Sequence, residues 1–292
     1  MDNDTFSCAI AGAVLDDLES RPGSVTSLAR TVLGAYVRDL GGWCAIAEFA
    51  ELLSVLGVSP QSTRTAVARL KSKGVLDAES RDGRSGYVIT DAAEAMFSRG
   101  DPRIFGFRRM ERGDSWRLIS FGIPESERAA RHQLRRRLSS IGVGTVSAGL
   151  WICPDYLSGE VRAIVAALDL TDYVTSFRVE DLDVPTTVRD AAAQWWDLDE
   201  LARRHREFLD HTNEIAARED TVGRDAFERF VPVLDEWRII PYLDPGLPDD
   251  MLPPDWPGVA SVELFAEMRR RCLEPSKLWA ASICASSVTA QR

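Results

Sequence analysis

The residues Gly57, Val58, Ser59 and Pro60 leave this chain little choice of local path. Glycine reaches the left-handed backbone that ends a helix, and serine caps the start of one. Proline at the following position has its φ already set for a first turn. Two helices must therefore meet across a tight turn. Before it, AEFAELLSVLG places Phe49, Leu52, Leu53 and Leu56 at helical spacing. After it, the helix runs to about Lys73, with Ala66, Val67 and Leu70 on one face, and Gly74 closes it. Upstream, Ser27 to Leu40 carries Leu28, Val32, Ala35 and Tyr36 at the same period and stops at Gly41-Gly42. Downstream, VLDAES, RDGRSG and YVIT read as a β-hairpin, with Asp and Gly supplying the turn. Asp91 to Arg99 is a further short helix. Helix, helix, tight turn, helix and hairpin is the order of a winged helix-turn-helix. Each apolar stripe is short, so the three helices must pack on one another to bury anything.

The third helix is also purely basic. Residues 59–74 carry four positive charges and no negative one, in a chain of 292 residues with a formal net charge of -10. On a helical wheel Gln61, Ser62, Arg64, Thr65, Arg69 and Lys71 lie opposite or beside the apolar stripe. Arginine can pair with guanine O6 and N7 in a major groove, and serine and glutamine can reach base edges or phosphates. Lys71 and Lys73 suit phosphates and also offset the negative end of the helix dipole. Arg81 and Arg84 at the hairpin tip would reach phosphates or the minor groove, whereas Tyr87 packs on the hairpin. These eight residues, Gln61, Ser62, Arg64, Thr65, Arg69, Lys71, Arg81 and Arg84, are the expected DNA contacts. By itself a basic helix is more often a solvated face than a contact surface, and winged folds also serve as protein-interaction modules.

Charge is unevenly spread. Residues 1–23 are net -4, residues 24–100 net +1, residues 101–142 net +5 and residues 143–292 net -12. A polyanionic partner therefore fits the first half, while the acidic second half would repel DNA. The five cysteines contain no CxxC pair, which fits a reducing cytoplasm and neither a disulfide framework nor a structural zinc site. No apolar run approaches the roughly 18 residues of a membrane span, and residues 8–15 lack the basic flank of a signal peptide.

Beyond residue 100, DPRIFGFRRMERGD reads as a linker. SWRLISFGI is a strand, followed by a helix from Pro124 to about Ile141 and then TVSAGLWIC as one or two strands. A helix near 157–168 and the strand DYVTSFRVE complete a βαββαβ order, which suggests a small ferredoxin-like domain. From about Pro185 the pattern is helical. Six of the fourteen prolines lie between 241 and 257, in an irregular loop.

Other clusters carry less. LRRRL (134–138) and the linker arginines Arg103, Arg108, Arg109 and Arg112 read as solvated charge, or as contacts to DNA or coenzyme A phosphates. His132, His205 and His211 are too few and too dispersed for a metal cage. Trp195, Trp196, Trp237, Tyr242 and Trp256 read as core or interface anchors, with an aromatic acyl pocket as the sharper alternative. Asp197, Asp199 and Glu200 can be read as a carboxylate set, and N-capping and helix-start preference explain them as well. There is no P-loop, GxGxxG, GxSxG or HExxH, so no enzyme, cofactor or metal is expected.

These residues carry a resemblance. The block LGAYVRDLGGWCAIAEFAELLSVLGVSPQSTRTAVARLKSKGVL with RSGYVIT resembles the PaaX-like transcriptional repressors, bacterial regulators of phenylacetic acid degradation. So do WRLISFGIPESERAARHQLRRRLSSIGVGTVSAGLWICP, WDLDELARRHREFL, and DPGLPDDMLPPDWPG followed by ELFAEMRRR. Many relatives carry Asp where the strand end FGIPE here has Gly122, which lowers the chance of metal-dependent cleavage. The resemblance implies a homodimeric DNA-binding repressor released from its operator by an acyl-CoA thioester such as phenylacetyl-CoA, and the scattered cysteines place it in the cytoplasm as an expectation. The expected fold is α+β. It comprises a loosely ordered segment (1–23), a winged helix-turn-helix (24–100), a linker (101–114), a ferredoxin-like domain (115–184) and a mainly helical C-terminal domain (185–292). A hydrolase acting on a phosphoester or acyl-CoA, and a winged protein-interaction module, remain open alternatives.

Overall fold

A computed structural model describes residues 21–218 and 222–289. Most of the expected loosely ordered segment, residues 1–20, lies outside the described residues. The chain forms two compact units, neither of them one continuous stretch of sequence. One comprises Pro102–Arg206 with Ile239–Val259, and the other gathers residues 21–101, 207–238 and 260–289.

The second unit holds the Gly-punctuated helices. α1 is Val25–Val32, capped by the Ser24 side chain, and it continues through a wider turn at Leu33–Val37 and a tight one at Arg38–Leu40. α2 is Ile46–Val55 and α3 is Pro60–Ser72. Gly57 and Gly74 end them with φ of 75° and 69°, which an L side chain adopts only at a cost. The expected hairpin is β2, Leu76–Arg81, with β3, Arg84–Ile89; its turn has Asp82 and Gly83 at φ 50° and 75°. Two positive φ values match the twist of a two-residue hairpin. A third strand, β1 (Trp43–Ala45), pairs antiparallel with β3 and gives the sheet order β1-β3-β2. WCAI was not expected as a strand because three residues show no alternation to read. α4, Asp91–Phe105, runs six residues past the expected stop at Arg99 and takes in the start of the expected linker. Gly100 and Pro102 suggested a break, but Gly100 is buried and Arg38 binds Asp101 at 3.0 Å.

The core of this unit draws Val32, Tyr36, Phe49, Leu52, Leu70 and Leu76 together with Phe227, Val231 and Ala280. The last three come from α9, Gly223–Trp237, and α11, Gly258–Thr289. The Tyr36 ring lies 4.8 Å from that of Phe227, and its hydroxyl is 3.0 Å from Ser276 Oγ. Asp235, fully buried, accepts from Ser27 Oγ at 2.6 Å, Thr31 Oγ1 at 2.7 Å and Arg238 Nε at 3.2 Å. A carboxylate so enclosed needs every one of these donors.

The other unit contains β4 (Trp116–Phe121), α5 (Arg128–Ser139), β5 (Gly144–Ser147), β6 (Leu150–Pro154), α6 (Ser158–Ala167) and β7 (Val174–Val179). The sheet is antiparallel with the order β5-β6-β4-β7. Alternation along the strands divides two cores. Ile119, Phe121, Trp151 and Cys153 pack under α5 and α6 through Leu134, Leu138, Val161 and Val165. Trp116 and Ile152 pack with Trp196, Leu198, Leu247 and Met251. These come from the region around α7 (Val188–Trp195), the start of α8 (Leu198–Ala216) and the proline-rich segment that includes α10 (Ile240–Leu243). The segment expected as one C-terminal helical domain is thus shared between the two units.

Candidate nucleic-acid interface

α3 is positioned by its buried side. Ala66, Val67 and Leu70 are almost fully enclosed, and Thr63 joins them while its hydroxyl donates to Ser59 O at 3.1 Å. Ser59 caps the helix: its Oγ accepts from Ser62 N at 3.1 Å and lies 2.9 Å from Ser62 Oγ. The opposite side is bare. Gln61, Arg64, Thr65, Arg69 and Lys71 are exposed. Arg64 Nη1 reaches Gln61 Oε1 at 3.4 Å, and Thr65 Oγ1 donates to the Gln61 carbonyl at 3.1 Å. Five of the six helix residues expected to touch DNA thus share one solvent-facing side. Ser62 is half-buried and committed to the cap.

The two hairpin arginines differ from each other. Arg81 is exposed and pairs with Glu79 at 2.5 Å. Arg84 is drawn inward: its guanidinium pairs with Glu48, whose side chain is only 2% exposed. Both guanidinium groups lie over the Trp43 ring, at 5.6 and 5.7 Å from its centre, a cation–π arrangement. Arg84 is therefore a brace between β3 and α2 more than a free tip residue. Sequence reading missed this because Glu48 sits on an amphipathic helix like any surface glutamate. Its one signal is its place three residues after Ala45, where its Oε2 accepts from Ala45 N at 3.0 Å and closes the helix start.

A cavity of about 420 Å³ lies between the first turn of α3, the first turns of α2 and strand β3. Ile46, Ala50, Pro60, Thr63, Arg64 and Tyr87 are among its lining residues. Ile46 is 45% exposed.

The other clusters resolve into structure. Arg103 binds Glu160 at 3.0 Å and the carbonyls of Pro241 and Tyr242 at 2.6 and 3.1 Å. Arg109 pairs with Asp249, and Arg108 stacks 4.4 Å over Tyr156. The expected linker is thereby tied to the proline-rich segment. In LRRRL, Arg137 is buried and Arg135 donates to Ala148 O. His205 is buried 2.9 Å from Asp244 Oδ2, and His211 is exposed beside Glu236 at 3.2 Å. The aromatic residues do not gather in one pocket. Trp196 donates to Gly142 O at 2.9 Å in one unit, while Trp237 stacks on Phe265 at 4.6 Å in the other. Asp197 caps α8 by accepting from Glu200 N at 3.0 Å.

Comparison with known proteins agrees with this layout. Residues 24–93 match a model described as PaaX-like protein, residues 109–191 match the PaaX protein central Cas2-like domain, and residues 196–282 match the PaaX-like protein C-terminal domain. The chain belongs to the PaaX-like family. It is 24% identical over 261 residues to the transcriptional repressor PaaX of Escherichia coli (strain K12), a match covering 86% of this chain and 81% of that protein. A solved structure, the uncharacterized protein Rv0674 from Mycobacterium tuberculosis, superposes with a TM-score of 0.53 at 22% identity. That match covers 89% of this chain and 97% of the other, so it speaks to fold alone. α3 and the hairpin lie within the first matched segment, and the four-stranded sheet lies within the second. Among the described residues no helix is long and apolar enough to cross a membrane.

Proposed function

We propose that this member of the PaaX-like family is a transcriptional repressor that binds duplex DNA through α3. The observation that carries the reading is the two-sidedness of α3. Its apolar side is locked into the core, while Gln61, Arg64, Thr65, Arg69 and Lys71 stand in solvent with no acidic residue on the helix. In this reading residues 24–100 act as a winged helix-turn-helix. α3 enters the major groove, and Arg81 at the hairpin tip contacts phosphate. The strand order β5-β6-β4-β7 with two helices on one face supports a ferredoxin-like reading of the central segment. The molecule works as a cytoplasmic homodimer and is released from its operator by an acyl-CoA thioester such as phenylacetyl-CoA. It is not an enzyme. The net charge of -10 limits non-specific attraction for DNA.

A gel shift on the promoter region of the protein's own gene tests this, challenged with aryl- and alkyl-CoA thioesters. Arg64→Ala and Arg69→Ala should each weaken binding by about 1–3 kcal/mol if they pair with bases. Lys71→Ala should lower the salt slope by about 0.9, the share of one phosphate contact. A shift unchanged in the Arg64→Ala, Arg69→Ala double variant would overturn the reading. A hydrolase would keep its turnover in that variant, and a protein-binding module would never shift the DNA.

A further inference from the structure

Cys44 and Cys284 are 240 residues apart in sequence, yet their sulfur atoms lie 4.0 Å apart. Two sulfur atoms at that distance are almost in van der Waals contact. Cys44 lies on β1, is buried, and also points its thiol toward Glu48 Oε2 at 3.8 Å. Cys284 lies on α11 and, among the described cysteines, is the one that is not buried. The two sulfur atoms are therefore unequal: one has reach to solvent and the other waits behind it.

We propose that Cys44 and Cys284 form a reversible disulfide, with Cys284 as the sulfur oxidised first and Cys44 as the resolving one, driven by a hydroperoxide oxidant. The chemistry requires a thiolate at the exposed position and a second thiol within closing distance. The neighbours supply the asymmetry. The hydrogen bond from Cys44 holds the Cys284 thiol below its ordinary pKa against the opposing effects of burial and of the Glu48 and Glu51 carboxylates, with a smaller contribution from Arg84. Cys44 is held well above its own ordinary value by that same bond to Cys284 and by burial. The Cys284 thiolate attacks one peroxide oxygen. The S–O bond forms as the O–O bond breaks, and the leaving hydroxide takes the proton that Cys284 had released and becomes water. The Cys44 sulfur then attacks the sulfenic sulfur, and the second hydroxide leaves as water with the Cys44 proton. Two thiols and one hydrogen peroxide thus become one disulfide and two waters. Cys153 is a poor competitor, because burial pushes its thiol up to about 12, and Cys272 is fully buried.

The test uses the full chain without denaturant. It is treated with hydrogen peroxide, blocked with N-ethylmaleimide and mapped by peptide mass. A linked pair of peptides carrying Cys44 and Cys284, lost on reduction with dithiothreitol, is the expected result. The oxidised form should melt higher than the reduced one, because the bridge closes a very long loop. Cys284→Ser, a change at a partly exposed position, should give no linked pair. In Cys44→Ser, Cys284 should be recovered as a dimedone adduct. Recovery of both cysteines as maleimide adducts would overturn the proposal. So would linkage of Cys284 to another cysteine, or co-purified zinc whose removal is needed before either thiol reacts.

Discussion

At the scale of single residues, two arginines on one hairpin have different work. Arg81 pairs with Glu79 in solvent, where such a pair contributes about 0–1 kcal/mol. Arg84 neutralises a carboxylate that is almost wholly enclosed. Arg84→Ala should therefore cost roughly 3 kcal/mol of stability, since it strands a buried charge, while Arg81→Ala should change stability by less than about 1 kcal/mol. Urea denaturation of the two variants measures the contrast, and equal midpoints would show that Glu48 finds another partner. A loss of DNA binding in Arg84→Ala says little about contact until its fold has been checked. Asp235 is the sharper case. Ser27, Thr31 and Arg238 all converge on it, so Asp235→Ala should cost roughly 3–5 kcal/mol in the same assay.

At the scale of elements, strand β1 depends on one missing side chain. A Cβ on Gly86 would sit 2.5 Å from the Trp43 ring and 2.6 Å from the Cys44 carbonyl. The Trp43 indole meanwhile donates to Glu79 O at 3.3 Å, across the sheet. Gly86→Val should push β1 off β3 and lower the thermal midpoint by several degrees. Calorimetry would show it, and an unchanged midpoint would mean that the indole can swing away. Two helix starts were legible because capping is local: Ser59 and Asp197 each stand where their side chains accept a backbone N–H, whereas the first helix was expected from Ser27 and is capped by Ser24. The extension of α4 to Phe105 was not legible. It depends on Arg38 holding Asp101 from another helix, and a glycine and a proline in sequence argue the other way.

At the scale of the whole molecule, the three short helices do not complete their own core. Phe227, Val231 and Ala280 fill it from positions more than a hundred residues downstream, and Lys277 pairs with Asp39 at 2.6 Å. A fragment of residues 24–105 lacks all of these. It should melt without a cooperative transition, or far below the full chain, and bind the promoter DNA more weakly. Circular dichroism of the fragment beside the full chain decides this, and a sharp melt at the full chain's temperature would refute it.

The amino-acid sequence by itself determined the helix–turn–helix–hairpin order, the βαββαβ order that follows it, and the cationic face of α3. Each of these rests on spacing, capping and turn chemistry acting within a few residues. Only tertiary structure decided that Arg84 turns inward to Glu48, that the tryptophans serve separate cores, and that α9 and α11 complete the core around α1. Those outcomes depend on which apolar faces and buried charges meet across large sequence separations, and periodicity along the chain carries no record of that pairing.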